Sequence, residues 1–144
     1  MARSTFVYVT YIRTTPQRLW SALTEDTEFM TEYWFGVRCE SQWSAGSPWK
    51  MLASDGRTIN TGEIVEAVPP RRLVIHWQQQ GKSALESADT FCTMELEPSG
   101  PAVKLTITHA IEHDPSNYMA GVSATWPKVV SNLKSLLETG SVVL

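Results

Sequence analysis

The stretch that decides the fold is residues 103–112, VKLTITHAIE, in which apolar and polar side chains alternate. Successive side chains of a β-strand point to opposite faces, so one face of this stretch is apolar apart from a single histidine. The alternation predicts a strand with one dry and one solvated face. The side chains on the dry face are Val103, Leu105, Ile107, His109 and Ile111.

The same period recurs upstream, between short segments rich in Gly, Pro, Ser and Asp at residues 44–48, 54–57, 69–70, 80–83 and 98–101. Such segments form turns, and the short spacing predicts antiparallel hairpins. For the predicted strand at residues 58–68, the pattern does not decide which side chains face inward, because Ile64 and Val65 are adjacent and either phase turns a glutamate inward. The inward residues of the clearer strands are Leu73, Ile75 and Trp77, then Cys92, Met94 and Leu96.

The dry face needs a cover, and the C-terminal segment is the only predicted element long enough to provide one. Its apolar residues recur at spacings of three and four, which predicts an amphipathic helix that ends at Gly140. Pro127 falls inside it. The helix either begins near Thr125 or begins near residue 114 and kinks at Pro127, and we favour the second. The apolar stripe comprises Val122, Trp126, Val129, Val130, Leu133, Leu136 and Leu137.

The N-terminal part predicts a strand followed by two short helices. Residues 6–12 are rich in β-branched and aromatic residues, and Thr15 before Pro16 is typical of a helix start. Thr24, with three acidic residues soon after it, predicts the cap of a second helix. The predicted fold class is α+β: one domain over residues 1–144, in which an antiparallel sheet packs against a long C-terminal helix.

Composition excludes several classes of function. The chain has 144 residues, a net charge of −3 and scattered basic residues, which argues against nucleic acid and anionic membranes as partners. Cys39 and Cys92 lie in no redox or zinc motif, and no histidine pair has metal-ligand spacing, so we expect neither a metal nor a cofactor. Without a signal peptide or a long apolar stretch, the sequence predicts a cytoplasmic protein.

Several phrases along the chain resemble a known family. They are residues 15–23 (TPQRLWSAL), 33–36 (YWFG), 62–66 (GEIVE), 69–77 (PPRRLVIHW), 105–109 (LTITH) and 132–138 (NLKSLLE). In these the chain resembles the SRPBCC superfamily (START-like, Bet v 1-like), specifically homologues of the activator of heat-shock protein 90 ATPase. The resemblance implies a helix-grip fold, in which a curved sheet wraps the C-terminal helix and leaves a cavity for lipids, sterols, polyketides or similar ligands.

Six tryptophans are unusual in a chain of this length, and they suggest rings that line a cavity. Trp20 is assigned to packing and Trp43 to a partly exposed turn. Most inward residues simply form the core, but together the rings and methionines are hard to close-pack between one sheet and one helix. The predicted ligand-binding residues are Tyr33, Trp34, Phe35, Trp49, Met51, Ile75, Trp77, Met94, Ile107, His109, Met119, Val122, Trp126 and Val130, and Cys92 is a further candidate for the cavity lining.

His109 is the most distinctive single residue, because it lies on an otherwise apolar face. Two interpretations stay open: a buried histidine hydrogen-bonded to its neighbours, which we favour, or a group that orients a ligand or transfers protons. Glu63 is the second candidate for acid–base chemistry, through a pairing with His109 or Tyr33. That pairing requires Glu63 to point inward.

The leading functional hypothesis is a binding protein for an apolar or aromatic small molecule. One alternative is an enzyme of cyclase, hydratase or hydrolase type that acts on such a ligand. The other is an interaction module, with a chaperone or a regulator as partner. A homodimer also stays open, and neither the ligand nor the pathway follows from the residues.

Overall fold

The computed structural model describes residues 4–79, 88–111 and 118–144. Within these ranges the elements follow the predicted order: a strand, two short helices, six strands and a long helix. They are β1 (Ser4–Ile12), α1 (Pro16–Leu23), α2 (Thr27–Tyr33), β2 (Arg38–Ser41), β3 (Pro48–Leu52), β4 (Thr58–Val68), β5 (Arg72–Gln79), β6 (Ala88–Ser99), β7 (Ala102–Ile111) and α3 (Tyr118–Thr139).

The strands form one antiparallel sheet in the order β1-β7-β6-β5-β4-β3-β2. Strands β2 to β7 pair with their neighbours in sequence, as the short turns predict, and β1 closes back on β7. The alternation of β7 is confirmed, since its five inward side chains are buried. Helix α3 packs on this inner face, where Trp126 contacts Trp77 of β5 and His109 of β7. The predicted α+β helix-grip fold is thereby confirmed.

The first helix begins as predicted, and the second begins later. The Thr15 hydroxyl accepts a hydrogen bond from the Arg18 backbone N–H, which caps α1. The predicted cap at Thr24 is wrong: Thr24 ends α1, and its hydroxyl donates to the Trp20 carbonyl. Asp26 caps α2 by accepting from the Phe29 N–H. Both residue types suit a cap, so the sequence did not distinguish them.

A bulge in β4 resolves the ambiguous strand. The register against β5 shifts between Ile64 and Glu66, so that Ile64 opposes Ile75 while Ala67 opposes Leu73. The additional residue lets Ile64 and Ala67 both face inward, although an odd number of steps separates them. Glu63 and the intervening Val65 are exposed.

Helix α3 contains Pro127 in its interior and ends before Gly140, whose φ is +87°. The predicted beginning near residue 114 lies outside the described residues. Of the helices in the described ranges, none combines the length and the apolar character needed to span a bilayer. No group of three His, Cys, Asp or Glu side chains in the same ranges is arranged to hold a metal ion.

Candidate functional site

Four tryptophan rings meet between the sheet and α3, and we call them the tryptophan cluster: Trp34, Trp49, Trp77 and Trp126. Trp77 is central, with ring centroids 4.7 Å from Trp49, 6.4 Å from Trp34 and 6.3 Å from Trp126. Trp34 also lies 5.4 Å from Trp126. The four rings come from the end of α2, from β3, from β5 and from α3, so the folded chain alone brings them together.

Gly62 explains how two of these rings come so close. It stands between Trp49 and Trp77 in the strand register, opposite the first on β3 and the second on β5. A Cβ atom at this position would overlap the His76 carbonyl oxygen and lie 3.2 Å from Trp49 Cε3. The missing side chain therefore leaves room for the two large rings to meet above β4.

His109 is the polar centre of the cluster, and it is 1% exposed. The Trp126 indole N–H donates to His109 Nδ1 over 3.0 Å. Because Nδ1 accepts, the ring proton lies on Nε2, which donates to the Thr90 hydroxyl at 2.9 Å. Thr90 in turn donates to the Trp77 carbonyl at 3.1 Å. These bonds fix the tautomer and the orientation of the imidazole.

Burial lowers the pKa of His109 from 6.5 to about 4, since the charged form would be desolvated. The imidazole is therefore neutral near pH 7. Both of its ring nitrogens are used in hydrogen bonds within the protein, which is the arrangement of a structural histidine. Its ring centroid lies 5.3 Å from that of Trp77, so the imidazole packs within the buried part of the cluster.

Trp34 is the most exposed member of the cluster, and Phe35 follows it in the chain after the end of α2. Trp34 is half-buried and Phe35 is 54% exposed. Phe35 has a φ of +53°, where L-residues with large side chains are strained and glycine is the usual occupant. The next residue closes the turn, because the Gly36 N–H donates to the Thr31 carbonyl over 2.9 Å.

The structure does not bring Glu63 or the Tyr33 hydroxyl to His109. Glu63 lies on the exposed face of β4, opposite His76. The Tyr33 hydroxyl donates to the Ala22 carbonyl at 2.8 Å and links the two short helices. Desolvation by burial raises the pKa of Tyr33 well above 10.0. The predicted acid–base pairing of Glu63 with His109 or Tyr33 is therefore not formed.

Most of the remaining predicted site residues are buried in the same hydrophobic core as the tryptophan cluster. Cys92 and Cys39 are free and buried, and burial raises the pKa of both thiols. The side chain of Met119 lies outside the described residues. The other predicted lining residues, all buried, are Met51, Ile75, Met94, Ile107, Val122 and Val130.

Three residues of the site were not anticipated: Thr90, Asn60 and Gly62. Asn60 is buried, and the amide orientation that satisfies its surroundings has Oδ1 accepting from Trp77 Nε1 at 3.3 Å and the amide NH₂ donating to the Ile59 carbonyl at 3.1 Å. Inward strand phase was an available signal for Thr90, which shares the phase of Cys92 and Met94, but a short polar residue in a strand rarely indicates a site. The phase of residues 58–68 was ambiguous, so it gave no such signal for Asn60 or Gly62.

A shallow depression of about 540 Å³ lies elsewhere, on the surface of α1 and α2. Arg18 crosses it, with its guanidinium 4.2 Å from the Phe29 ring and 3.5 Å from the Asp26 carboxylate. The depression shares no residue with the tryptophan cluster. Its lining is mostly charged or polar: Arg18, Asp26, Glu28, Phe29, Thr31 and Glu32.

The family comparison covers nearly the whole chain. A family model described as "Activator of Hsp90 ATPase homolog 1-like protein" matches residues 13–138. No curated protein sequence matches the chain.

Solved structures share the architecture at low sequence identity. A protein from Mesorhizobium loti has a TM-score of 0.81 at 20% identity, over 94% of this chain and 97% of its own. The Aha1 dimer from Colwellia psychrerythraea has a TM-score of 0.75 at 21% identity, over 95% and 98%. An HSP90 activator from Plasmodium falciparum has a TM-score of 0.74 at 20% identity, over 93% and 96%. At these identities the similarity establishes the fold alone.

Proposed function

We propose that this chain, which belongs to the family of activator of Hsp90 ATPase homolog 1-like proteins, binds an apolar, ring-containing small molecule between its sheet and α3. The observation that carries the proposal is the meeting of four tryptophan rings beside His109. Flat aromatic surfaces with a few oriented polar groups are typical of sites for such ligands.

The exposed side of the cluster suggests how a ligand would reach it. Trp34 contacts both Trp77 and Trp126 and yet is only partly buried. Beside it, Phe35 holds a strained backbone with its ring exposed. Trp43 also has a positive φ, so the exposure of Trp34 and Phe35, and not the strain alone, distinguishes this position. We therefore place the entrance to the site at Trp34 and Phe35.

Binding is better supported than acid–base catalysis. A catalytic histidine needs a ring nitrogen within reach of the substrate and a pKa near the working pH. His109 has both ring nitrogens in protein hydrogen bonds and a pKa of about 4. Glu63, the other candidate, is exposed on β4. In the proposed function His109 holds the Trp126 ring in place.

A second candidate function is docking to a chaperone of the Hsp90 type. One observation favours it: the edge strand β1 turns three large apolar side chains outward, Val7, Val9 and Tyr11, each about half exposed. Apolar stripes on an edge strand mark interaction sites. Co-precipitation with purified Hsp90 tests this candidate, with Val9→Lys as the disrupting variant. Sedimentation of the isolated protein measures self-association through the same face.

Tryptophan fluorescence tests the binding function directly. Purified protein is titrated with fatty acids, sterols and aromatic polyketides. Trp34→Ala is expected to weaken binding of any positive ligand by about tenfold or more, as the loss of a large contact surface implies. Trp43→Ala is the matched control: Trp43 is also half-buried and packs against the core, but the ring contacts that define the cluster do not include it. A uniformly negative panel would refute the proposed function.

A further inference from the structure

The indole N–H of Trp49 differs from those of its buried neighbours in the tryptophan cluster. Trp126 donates to His109, and Trp77 has the Asn60 amide oxygen as its acceptor. Trp49 is 2% exposed, and its Nε1 has no hydrogen-bond partner among the described residues. Two of the three buried indoles are thus paired within the protein, and one is not.

An unpaired buried donor requires an explanation, because folded proteins pair nearly all such groups. The chain does provide polar partners for the other two indoles in this region. It supplies Asn60 for Trp77, and His109 with Thr90 for Trp126. Trp49 sits beside them, directly across Gly62 from Trp77 and 4.7 Å from its ring. A molecule that covers the cluster would therefore meet one unsatisfied donor, at its β3 end.

The surroundings also indicate the charge of the acceptor. Among the described residues, the buried side chains of the core carry no lysine or arginine, and the buried polar ones are Thr24, Asn60, Thr90, His109 and Asn132. His109 is neutral near pH 7. A carboxylate or phosphate placed here would lack a counter-charge, which makes its burial costly. A carbonyl oxygen accepts the same hydrogen bond without that cost.

We propose that Trp49 is the specificity-determining residue of the site, and that its N–H donates to an uncharged carbonyl oxygen on the aromatic ligand. This inference rests on the proposed function and adds the substrate class to it, an aromatic ketone or quinone. The rings of the ligand pack on Trp77 and Trp34, and its oxygen lies toward β3. An ordered water on Trp49 is the competing explanation.

Two probes of nearly equal shape separate these explanations: 9-fluorenone and fluorene, which carry C=O and CH₂ at the same position. Binding of each is measured by equilibrium dialysis against wild-type protein, Trp49→Phe and Trp77→Phe. The preference is the dissociation constant of fluorene divided by that of fluorenone. It is expected to be about tenfold larger for the wild type than for Trp49→Phe, which is the effect of one hydrogen bond to a buried donor. Trp77→Phe removes a neighbouring ring whose N–H is already paired. It is expected to weaken both probes and to keep the preference.

The outcomes distinguish a failure of the inference alone from a failure of the proposed function. If both probes bind and the preference is the same in wild type and Trp49→Phe, Trp49 holds a water only and the inference is overturned, while the proposed function stands. If neither probe binds, the proposed function fails for this ligand class and the inference fails with it.

A second measurement needs no variant, in case Trp49→Phe does not fold. In ¹⁵N–¹H spectra of the wild type, fluorenone is expected to move the assigned Trp49 indole N–H resonance downfield, and fluorene is not. Equal shifts with both probes would overturn the inference.

Discussion

Acidification is predicted to destabilise the protein through His109. Burial lowers its pKa from 6.5 to about 4, so the unfolded chain binds this proton more tightly than the folded chain does. The free energy of unfolding therefore falls as the pH drops from about 6.5 to about 4, and this group contributes no further change outside that window. The loss amounts to about 2 kcal/mol at pH 5 and about 3 kcal/mol at pH 4.

His109→Gln isolates this contribution, because the amide does not titrate. At pH 8 the variant is expected to be less stable by about 1–3 kcal/mol, since the bonds to Trp126 and Thr90 are lost or distorted. The advantage of the wild type then shrinks on acidification, and we expect the two stability curves to cross near pH 5. Below that pH the variant is the more stable protein.

Urea unfolding at five pH values between 8 and 4 measures both curves by linear extrapolation. Subtracting the variant from the wild type removes the contribution of the carboxylates, which both proteins share. His76→Gln is the control, because His76 stacks on the partly exposed Phe91 ring away from the cluster, 4.8 Å between centroids. A difference between wild type and His109→Gln that stays constant from pH 8 to pH 4 would refute the reasoning.

Three further predictions concern the backbone and the end of the chain. Gly62→Ala is expected to cost about 3 kcal/mol or more, because its methyl group would overlap the His76 carbonyl, whereas Gly121→Ala meets nothing within 4 Å and should add about 1 kcal/mol. Equal thermal midpoints for the two would contradict this. Phe35→Gly is expected to raise the free energy of unfolding by about 0.5–1 kcal/mol, because glycine relieves the strain at φ +53°, and to weaken ligand binding. Denaturation measures the first effect and the fluorescence titration the second. A destabilised variant would rule out the strain. Asn132→Leu removes the acceptor of the backbone N–H groups of Val143 and Leu144. We expect the free energy of unfolding to fall by about 1–2 kcal/mol and these two amides to exchange faster. Unchanged exchange would contradict the prediction.

The fold could be predicted from the sequence wherever a local pattern determines the structure. The alternation of β7 and the Thr15–Pro16 start of α1 depend on neighbouring residues alone, and the structure has both. The cap of α2 could not be fixed, because Thr24 and Asp26 are both good caps and packing decides between them. The phase of β4 could not be fixed either, since the bulge after Ile64 is defined only by its pairing with β5.

The site was predictable as a set of rings but not as a network. Inward strand phase selected Trp49 and Trp77, the apolar stripe of the long helix selected Trp126, and the segment after the second short helix supplied Trp34. The four rings do meet. The hydrogen bonds that organise them depend on strand register, which joins residues far apart in the chain. Thr90, for example, reaches His109 only because β6 pairs with β7, at a separation of 19 residues. Glu63 failed as a partner for the same reason, since one added residue in β4 decides what faces inward.

The use of tryptophan rather than another large residue at these positions also bears on the function of the site. A core built for stability alone favours Leu, Ile, Val and Phe, which fill space without polar atoms that need partners. Here Trp77 and Trp126 each require a buried polar partner, and His109 is held in a neutral form that costs stability in acid. Phenylalanine would have avoided these requirements at every position. The cluster is therefore better explained by what the indole rings and the free Trp49 N–H can contact than by the stability they add.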